Sequence, residues 1–248
     1  MTHFSLRPII TAFIFLTRIP MPTLEDFQPE DSGQALAFFP IVGLAIGLCM
    51  AIAAVFQPLP SSLMAALLLL FWVFITGGLH IDGLGDSADG WLGGTGNKQR
   101  SLEIMQDPCS GSAAVMAICC LLIVKFAALS ALLEQSTFSA IIFAPIIGRC
   151  IPLILFLTTP YVRKDGLAQN FIQHASKPAI YCMLIAVFAL ALIFLGLQSA
   201  VITFITAAII LLGLRYLMIK RLGGNTGDTT GAAIEIIEAT ILILLVIV

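Results

Sequence analysis

The chain has 248 residues, of which 59% are hydrophobic and 10% charged, with a net charge of −2. A soluble domain carries about 25% charged residues, so this composition, with a mean hydropathy of +1.05, excludes a soluble globular protein and predicts a polytopic membrane protein. No basic excess points to nucleic acid, and no nucleic-acid partner is expected.

Residues 4–19 form a first apolar run between Arg7 and Arg18. It is short for a span, since crossing the bilayer takes about 20 residues, and it either crosses tilted or lies in the interface. It ends at Pro20 and Pro22 without a small-residue cleavage site, so no cleavable signal is expected. Residues 23–34 are acidic and polar, a surface segment. Spans are predicted at 36–56, 63–79, 113–133, 138–158, 179–197 and 200–217, and a last apolar helix at 234–248. Polar loops are predicted at 81–112, 159–178 and 218–233, and tight turns at 57–62, 134–137 and 198–199. The whole predicts an all-α, polytopic transmembrane helix bundle of about seven spans forming one domain over 1–248. No internal repeat is visible. Of the six cysteines, all but Cys109 (Cys49, Cys119, Cys120, Cys150 and Cys182) lie in apolar runs, and none forms a CxxC pair. They are expected to be buried small hydrophobes.

Charge sets the expected topology. The tight turns hold no Lys or Arg. The polar loops hold Lys98 and Arg100, then Arg163, Lys164 and Lys177, then Lys220 and Arg221. By the positive-inside rule the three polar loops are cytoplasmic and meet on one face. An enzyme working at that face fits better than a transporter, whose polar machinery belongs at mid-span.

The most informative stretch is 76–94, which holds Asp82, Asp86 and Asp89 among seven glycines. Spacing of i, i+4, i+7 puts the three acids on one helical face. Acids so close repel unless a cation lies between them, and hard oxygen ligands suit Mg²⁺ or Mn²⁺. The glycines let backbone N–H groups approach a bulky anion. A second constellation, 222–238, has Asn225, Thr226, Asp228 and Thr229 in a Gly-rich loop before a helix. Thr229 or Asp228 is a candidate cap, and the helix N-terminus would attract phosphate. Asp228 and Glu235 are seven apart and can share a face. A third constellation is Lys98, Arg100, Glu103 and Asp107, with the two acids at i, i+4 on a short helix ended by Pro108. His80 lies two residues before Asp82 and is a candidate base, substrate contact or metal contact. Arg149 and Lys125 fall inside apolar spans, where an unpaired charge costs about 2.5–3.5 kcal/mol or more. Arg149 is expected to face the acids or an anionic substrate, and Lys125 can snorkel. Acid clusters, Gly-rich loops and basic residues together point to phosphoryl transfer at a membrane, with a carboxylate or His80 taking a proton from the attacking hydroxyl.

At these motifs the chain resembles cobalamin synthase, the adenosylcobinamide-GDP ribazoletransferase family. The resemblance rests on Gly77-Gly-Leu-His-Ile-Asp-Gly-Leu-Gly-Asp-Ser-Ala-Asp-Gly90, Glu103-Ile-Met-Gln-Asp107 and Leu222-Gly-Gly-Asn-Thr-Gly-Asp-Thr-Thr-Gly-Ala-Ala-Ile-Glu235. Smaller matches are Phe15-Leu-Thr-Arg-Ile-Pro20, Phe39-Pro-Ile-Val-Gly-Leu44 and Tyr161-Val-Arg-Lys-Asp-Gly-Leu167. Their order runs nearly end to end. The resemblance implies a multi-pass enzyme of the cell inner membrane that joins adenosylcobinamide-GDP to α-ribazole, or its 5′-phosphate, with Mg²⁺ and releases GMP. Carried onto this chain, it implies Asp82, Asp86, Asp89 and Asp228 as metal ligands. His80, Asp82, Asp89 and Asp228 would be catalytic. Lys98, Arg100, Arg149, Arg163, Asn225 and Glu235 would contact substrate. The bilayer is the expected surroundings, and a homo-oligomer is compatible with the pattern. The chain departs from the family at Pro108-Cys109, where Ser-Arg is frequent, and at Ala113 and Ala114, where a glycine is common; Gly85 replaces a frequent Ala. The alternatives fit less well. A CDP-alcohol phosphatidyltransferase shares Asp86-x-x-Asp89-Gly90, but Leu92-Gly93 stands where its Ala-Arg belongs, and a transporter would carry its polar groups at mid-span.

Overall fold

The computed structural model describes residues 6–24, 29–56, 59–163 and 168–248. Parts of the predicted first run, of the acidic 23–34 segment and of the turn at Gln57, and the Lys164–Leu167 part of one motif, lie outside the described residues. Among the described residues the regular structure is helical apart from one isolated bridge between Tyr161 and Asn225. The elements are α1 (Arg7–Leu16), α2 (Pro29–Ala35), α3 (Phe39–Phe56), α4 (Ser61–Thr76), α5 (Leu79–Gly93), α6 (Lys98–Ile104), α7 (Ser112–Glu134), α8 (Phe138–Thr158), α9 (Ala168–Gln173), α10 (Lys177–Leu195), α11 (Leu197–Leu222) and α12 (Gly227–Ile247), with a short 3₁₀ turn, Leu36–Phe38, ahead of α3.

Six helices among the described residues are long and apolar enough to cross a membrane, and α4 with α5 makes a seventh segment bent by 86°. The bend has a local cause. Gly77 and Gly78 both adopt left-handed φ, +63° and +70°, which side chains with a Cβ rarely tolerate. α8 and α12 form the centre, with 78% and 67% of their apolar windows buried, whereas α10 and α11 bury only 17% and 22%. The outward faces carry Phe74, Ile185, Ile193, Phe194, Ile209 and Leu212, all exposed. A monomer in water rarely shows so much apolar surface; in a bilayer it is the lipid-facing side.

The structure differs from the sequence reading at the polar segments. Residues 81–112 are mostly helix, α5 and α6, because glycine and aspartate at this density still hold a helix when one face packs. The 218–233 segment shrinks to Gly223–Thr226, since α11 runs through its basic last turn and α12 starts at Gly227. Asp107 falls beyond the end of α6, where it accepts the Cys109 N–H at 2.9 Å. The cysteine expectation holds for Cys150 alone; Cys49, Cys119, Cys120 and Cys182 are exposed on the outer helices. Apolar periodicity does not separate a lipid-facing position from a core position.

Candidate active site

α5 and α12 pack close enough that glycine is required at the crossing. A methyl built on Gly83 would stand 2.8 Å from the Asp228 carbonyl oxygen, and one built on Gly231 3.2 Å from the His80 Cα. This approach brings the 76–94 stretch and the 222–238 stretch into one site. α12 is started by Thr226, whose side chain accepts the Thr229 N–H at 3.2 Å while the Thr229 hydroxyl accepts the Thr226 N–H at 2.8 Å. The cap is thus Thr226 and not Asp228 or Thr229, and the Asp228 carboxylate accepts from the Thr226 hydroxyl at 3.4 Å. The loop before α12 is tied to the segment after α8: Asn225 N–H donates to the Pro160 carbonyl at 2.8 Å, and Val162 N–H donates to the Asn225 carbonyl at 2.9 Å. The tie sets Tyr161 and Arg163 beside Asp228. Arg163 Nη2 lies 2.7 Å from Asp228 Oδ2, and also donates to the Met105 carbonyl at 3.4 Å.

Tyr161, Arg163 and Asp228 line a cavity of about 490 Å³. Its polar side holds His80 and Asp82 from α5, Gln106, Tyr161, Arg163, Asp228 and Thr230. Its other side is apolar and built from α1, α3, α8 and α9. His80 is buried, and its Nδ1 has no hydrogen-bond partner among the described residues. Asp86, on α5 and outside the six long apolar helices, has its carboxyl pushed up to about 6 by partial burial and then by the negative charges of Asp82 and Asp228, against a smaller opposing pull from Arg163. Burial raises the Tyr161 phenol as well, with Arg163 opposing.

The predicted residues do not all come together. His80, Asp82, Arg163 and Asp228 line the cavity, and Asp86 stands within their field. Asp89 is turned away toward α7, accepting the Gly111 N–H at 2.6 Å and the Ala114 N–H at 3.0 Å. It therefore serves the N-terminus of α7, whose first N–H groups have no helical partner. Lys98 and Arg100 sit on α6 outside the cavity lining: Lys98 Nζ lies against Gly223 at the end of α11, and Arg100 pairs with Glu103 at 3.6 Å. Asn225 is wholly buried, donating to Thr230 Oγ1 at 3.3 Å with its Oδ1 unpartnered.

Arg149 and Glu235 lie in none of these places. Both belong to a buried ion network on α7, α8 and α12. Lys125 Nζ reaches Glu235 Oε2 at 2.6 Å and Glu238 Oε2 at 2.7 Å, and Arg149 pairs with Glu238. Lys125 also stands over the Trp72 ring, 4.3 Å from its centroid. Lys125 does not snorkel and Arg149 does not face the aspartates; each is neutralised by a glutamate of α12. Two cations and two carboxylates make the network neutral, which is what an apolar bundle interior demands. Glu238 escaped the sequence reading, although an acid three residues after Glu235 on an apolar helix was its signal. Tyr161, Gln106 and Thr230 also escaped it, because only folding brings them to the cavity.

Among the described residues no group of three His, Cys, Asp or Glu is already gathered tightly enough to hold a metal. The donors are nevertheless of one kind. Asp82, Asp86 and Asp228 offer hard oxygens, and the raised Asp86 carboxyl is what such acids show without a cation between them. Mg²⁺ commonly takes one or two carboxylates and completes its shell with water and substrate phosphates, so the residues fit that ion.

A bundle of apolar helices that closes acids, an arginine and a neutral imidazole around a cavity beside a capped helix N-terminus defines a polytopic membrane enzyme of phosphate-ester chemistry. The chain belongs to the cobalamin-5-phosphate synthase family, whose model matches residues 8–246. It is 45% identical over 237 residues to the adenosylcobinamide-GDP ribazoletransferase of Pseudomonas fluorescens strain SBW25, covering 95% of this chain and 98% of that one. It is 42% identical over 243 residues to the protein of the same name from Acinetobacter baumannii strain ACICU, covering 98% of each. The Pseudomonas putida strain W619 protein of that name is 42% identical over 237 residues. No solved structure matches the chain.

Proposed function

We propose that the cavity between α5 and α12 is where this chain carries out the ribazole transfer for which its relatives are named. The family assigns the chain to the transferases of cobalamin synthesis. The observation that carries the site assignment is the convergence of His80 and Asp82 with Asp228 and Arg163 on one cavity, from stretches about 150 residues apart.

In this reading a ribose hydroxyl of α-ribazole, or of its 5′-phosphate, attacks the cobinamide-linked phosphorus of adenosylcobinamide-GDP. The new O–P bond forms, the pyrophosphate P–O bond breaks, and GMP leaves. Arg163 holds the pyrophosphate; its bond to Asp228 keeps the guanidinium at the cavity wall. His80, kept neutral chiefly by its burial, with Arg149 and Lys125 adding, accepts the hydroxyl proton. The Asp82, Asp86 and Asp228 carboxylates would hold Mg²⁺, which when bound supplies neutralising charge at the pyrophosphate. Thr226 caps α12 and aims its N-terminus at the anion. The basic loops face the cytoplasm, as the Lys and Arg distribution supports, and the host bilayer is the cell inner membrane, as the family resemblance implies.

The test uses protein in lipid nanodiscs with adenosylcobinamide-GDP and α-ribazole, with Mg²⁺ or with EDTA, following GMP and cobalamin by chromatography. GMP formation that needs Mg²⁺ and is lost in Asp228→Asn is the expected result. Full activity in Asp228→Asn, with Mg²⁺ dependence intact, would place the chemistry elsewhere.

A further inference from the structure

The cavity has two unlike sides, and the polar one alone is used by the chemistry above. The rest of the lining is mostly apolar and includes Phe15, Leu16, Phe39, Phe156, Phe171 and Ile234. Three of its rings pack on one another, with centroids 5.8 Å apart for Phe15 and Phe39, 4.6 Å for Phe15 and Phe171, and 5.4 Å for Phe39 and Phe171. Phe156 stands edge-on to Tyr161 at 6.1 Å, so it joins the wall to the polar side. Phe15 and Phe156 are only partly buried, whereas Leu16, Phe39, Phe171 and Ile234 are at most 5% exposed, so the ring surface open to a ligand is that of Phe15 and Phe156. An aromatic wall with a few polar groups at one end is the usual form of a site for a flat ring carrying a polar substituent.

We infer that this wall receives the base of the acceptor nucleoside, and that it selects an apolar fused-ring base over a purine. The inference rests on the reading of the cavity as the transferase site. Two arguments lead from the wall to the acceptor. The first is size. A cavity of about 490 Å³ is near the lower end for a drug-sized ligand, about 300–1,000 Å³. It holds one nucleoside, whereas a corrinoid macrocycle with its own nucleotide exceeds it and must lie largely outside. The second is polarity. The guanine of the donor carries several hydrogen-bond donors and acceptors on its edge, and the six wall residues have no side-chain group to meet them. Burying that edge unpaired is penalised, whereas an apolar bicyclic base leaves nothing unpaired. The base on the wall then sets the ribose at the polar side, between His80 and Arg163, where its hydroxyl is needed. Phe156, at the junction, is a specificity-determining residue and not a catalytic one.

The experiment measures KM for each substrate separately in nanodiscs, for wild type, Phe156→Ala, Phe156→Leu and Phe15→Ala, with thermal unfolding run alongside to confirm that each variant is folded. Direct binding of α-ribazole and of guanosine is measured by calorimetry on the same samples. Truncating Phe156 is expected to raise KM for α-ribazole about tenfold, with KM for adenosylcobinamide-GDP within about twofold of wild type. Phe156→Leu, which keeps bulk and loses the ring, is expected in between. α-Ribazole is expected to bind wild type at least about tenfold more tightly than guanosine. A rise confined to the KM of adenosylcobinamide-GDP, equal binding of guanosine, or unchanged constants in folded variants would each overturn the inference while leaving the transferase reading in place. A wild-type protein that makes no GMP would overturn that reading, and this one with it.

Discussion

Replacing Glu238 by Gln removes the carboxylate that lies between Lys125 and Arg149. The four-residue network then holds Lys125, Arg149 and Glu235, a net charge of +1 where the intact set is neutral. Arg149 is fully buried, so water cannot screen the excess. Breaking a buried pair by removing one partner costs about 3–5 kcal/mol, and translocon insertion of a lone Arg at mid-helix costs about 2.5–3.5 kcal/mol. A loss of about 3 kcal/mol is therefore expected, roughly a hundredfold or more in the folding equilibrium constant. Arg149→Met, with two carboxylates left to Lys125 alone, is expected to cost a similar amount. The double variant Glu238→Gln/Arg149→Met leaves Lys125 paired with Glu235 and neutrality restored, so the two losses should not add; the expected coupling is about 2 kcal/mol or more in favour of the double variant. The assay is reversible unfolding in mixed micelles by titration with a denaturing detergent, followed by tryptophan fluorescence. Additive losses would refute the argument from charge balance. KM for adenosylcobinamide-GDP in the double variant is expected to stay near wild type, because Arg149 lies among side chains and not at the cavity. A large rise in that KM would return Arg149 to phosphate binding.

Asp89→Ala removes both acceptors from the start of α7 and is expected to lower stability by about 1–2 kcal/mol, while Mg²⁺ affinity, read by isothermal calorimetry with GDP present, falls less than in Asp86→Ala. Equal loss of Mg²⁺ affinity in the two variants would show that Asp89 leaves α7 for the metal. Asp86 titrates near 6 in the folded chain against 3.8 without perturbation, so protons compete with cations below about pH 6, and Mg²⁺ affinity is expected to weaken steadily from pH 7 to pH 5. In the metal-free protein the sign is the opposite: the folded state holds this proton more tightly, so the contribution of Asp86 to stability is fully present below pH 3.8 and is lost as pH rises through about 6. A Mg²⁺ affinity that is flat over that range would exclude Asp86 from the ligand set. Gly83→Ala puts a methyl 2.8 Å from the Asp228 carbonyl oxygen. Overpacking of this kind costs about 1–3 kcal/mol, and turnover is expected to fall more than stability does, since the shift separates Asp82 from Asp228; unchanged turnover would show that the crossing is not under constraint.

Much of this molecule is determined by sequence alone, and for identifiable reasons. Long apolar runs define spans because the bilayer leaves the backbone no partner but itself, and α3, α7, α8, α10 and α11 lie close to where those runs predict, while α12 begins earlier, at Gly227. The two Gly- and Asp-rich stretches mark the site because few other functions gather acids and glycines at the ends of apolar helices, and Asp82, Asp86 and Asp89 do share a helix. What only the tertiary structure decided is which charge meets which. Spacing along α5 leaves Asp89 equivalent to Asp82 and Asp86, and the approach of α7 takes it as a cap. Arg149 and Glu235 have the residue types of a phosphate site. They are claimed instead by Lys125 and Glu238, which lie far away in the chain and only a hydrogen-bond length away in the fold. Electrostatic attraction depends on distance in space and on the medium between the charges. A sequence records neither, so it names the charged groups and leaves their pairing to the packing of the helices.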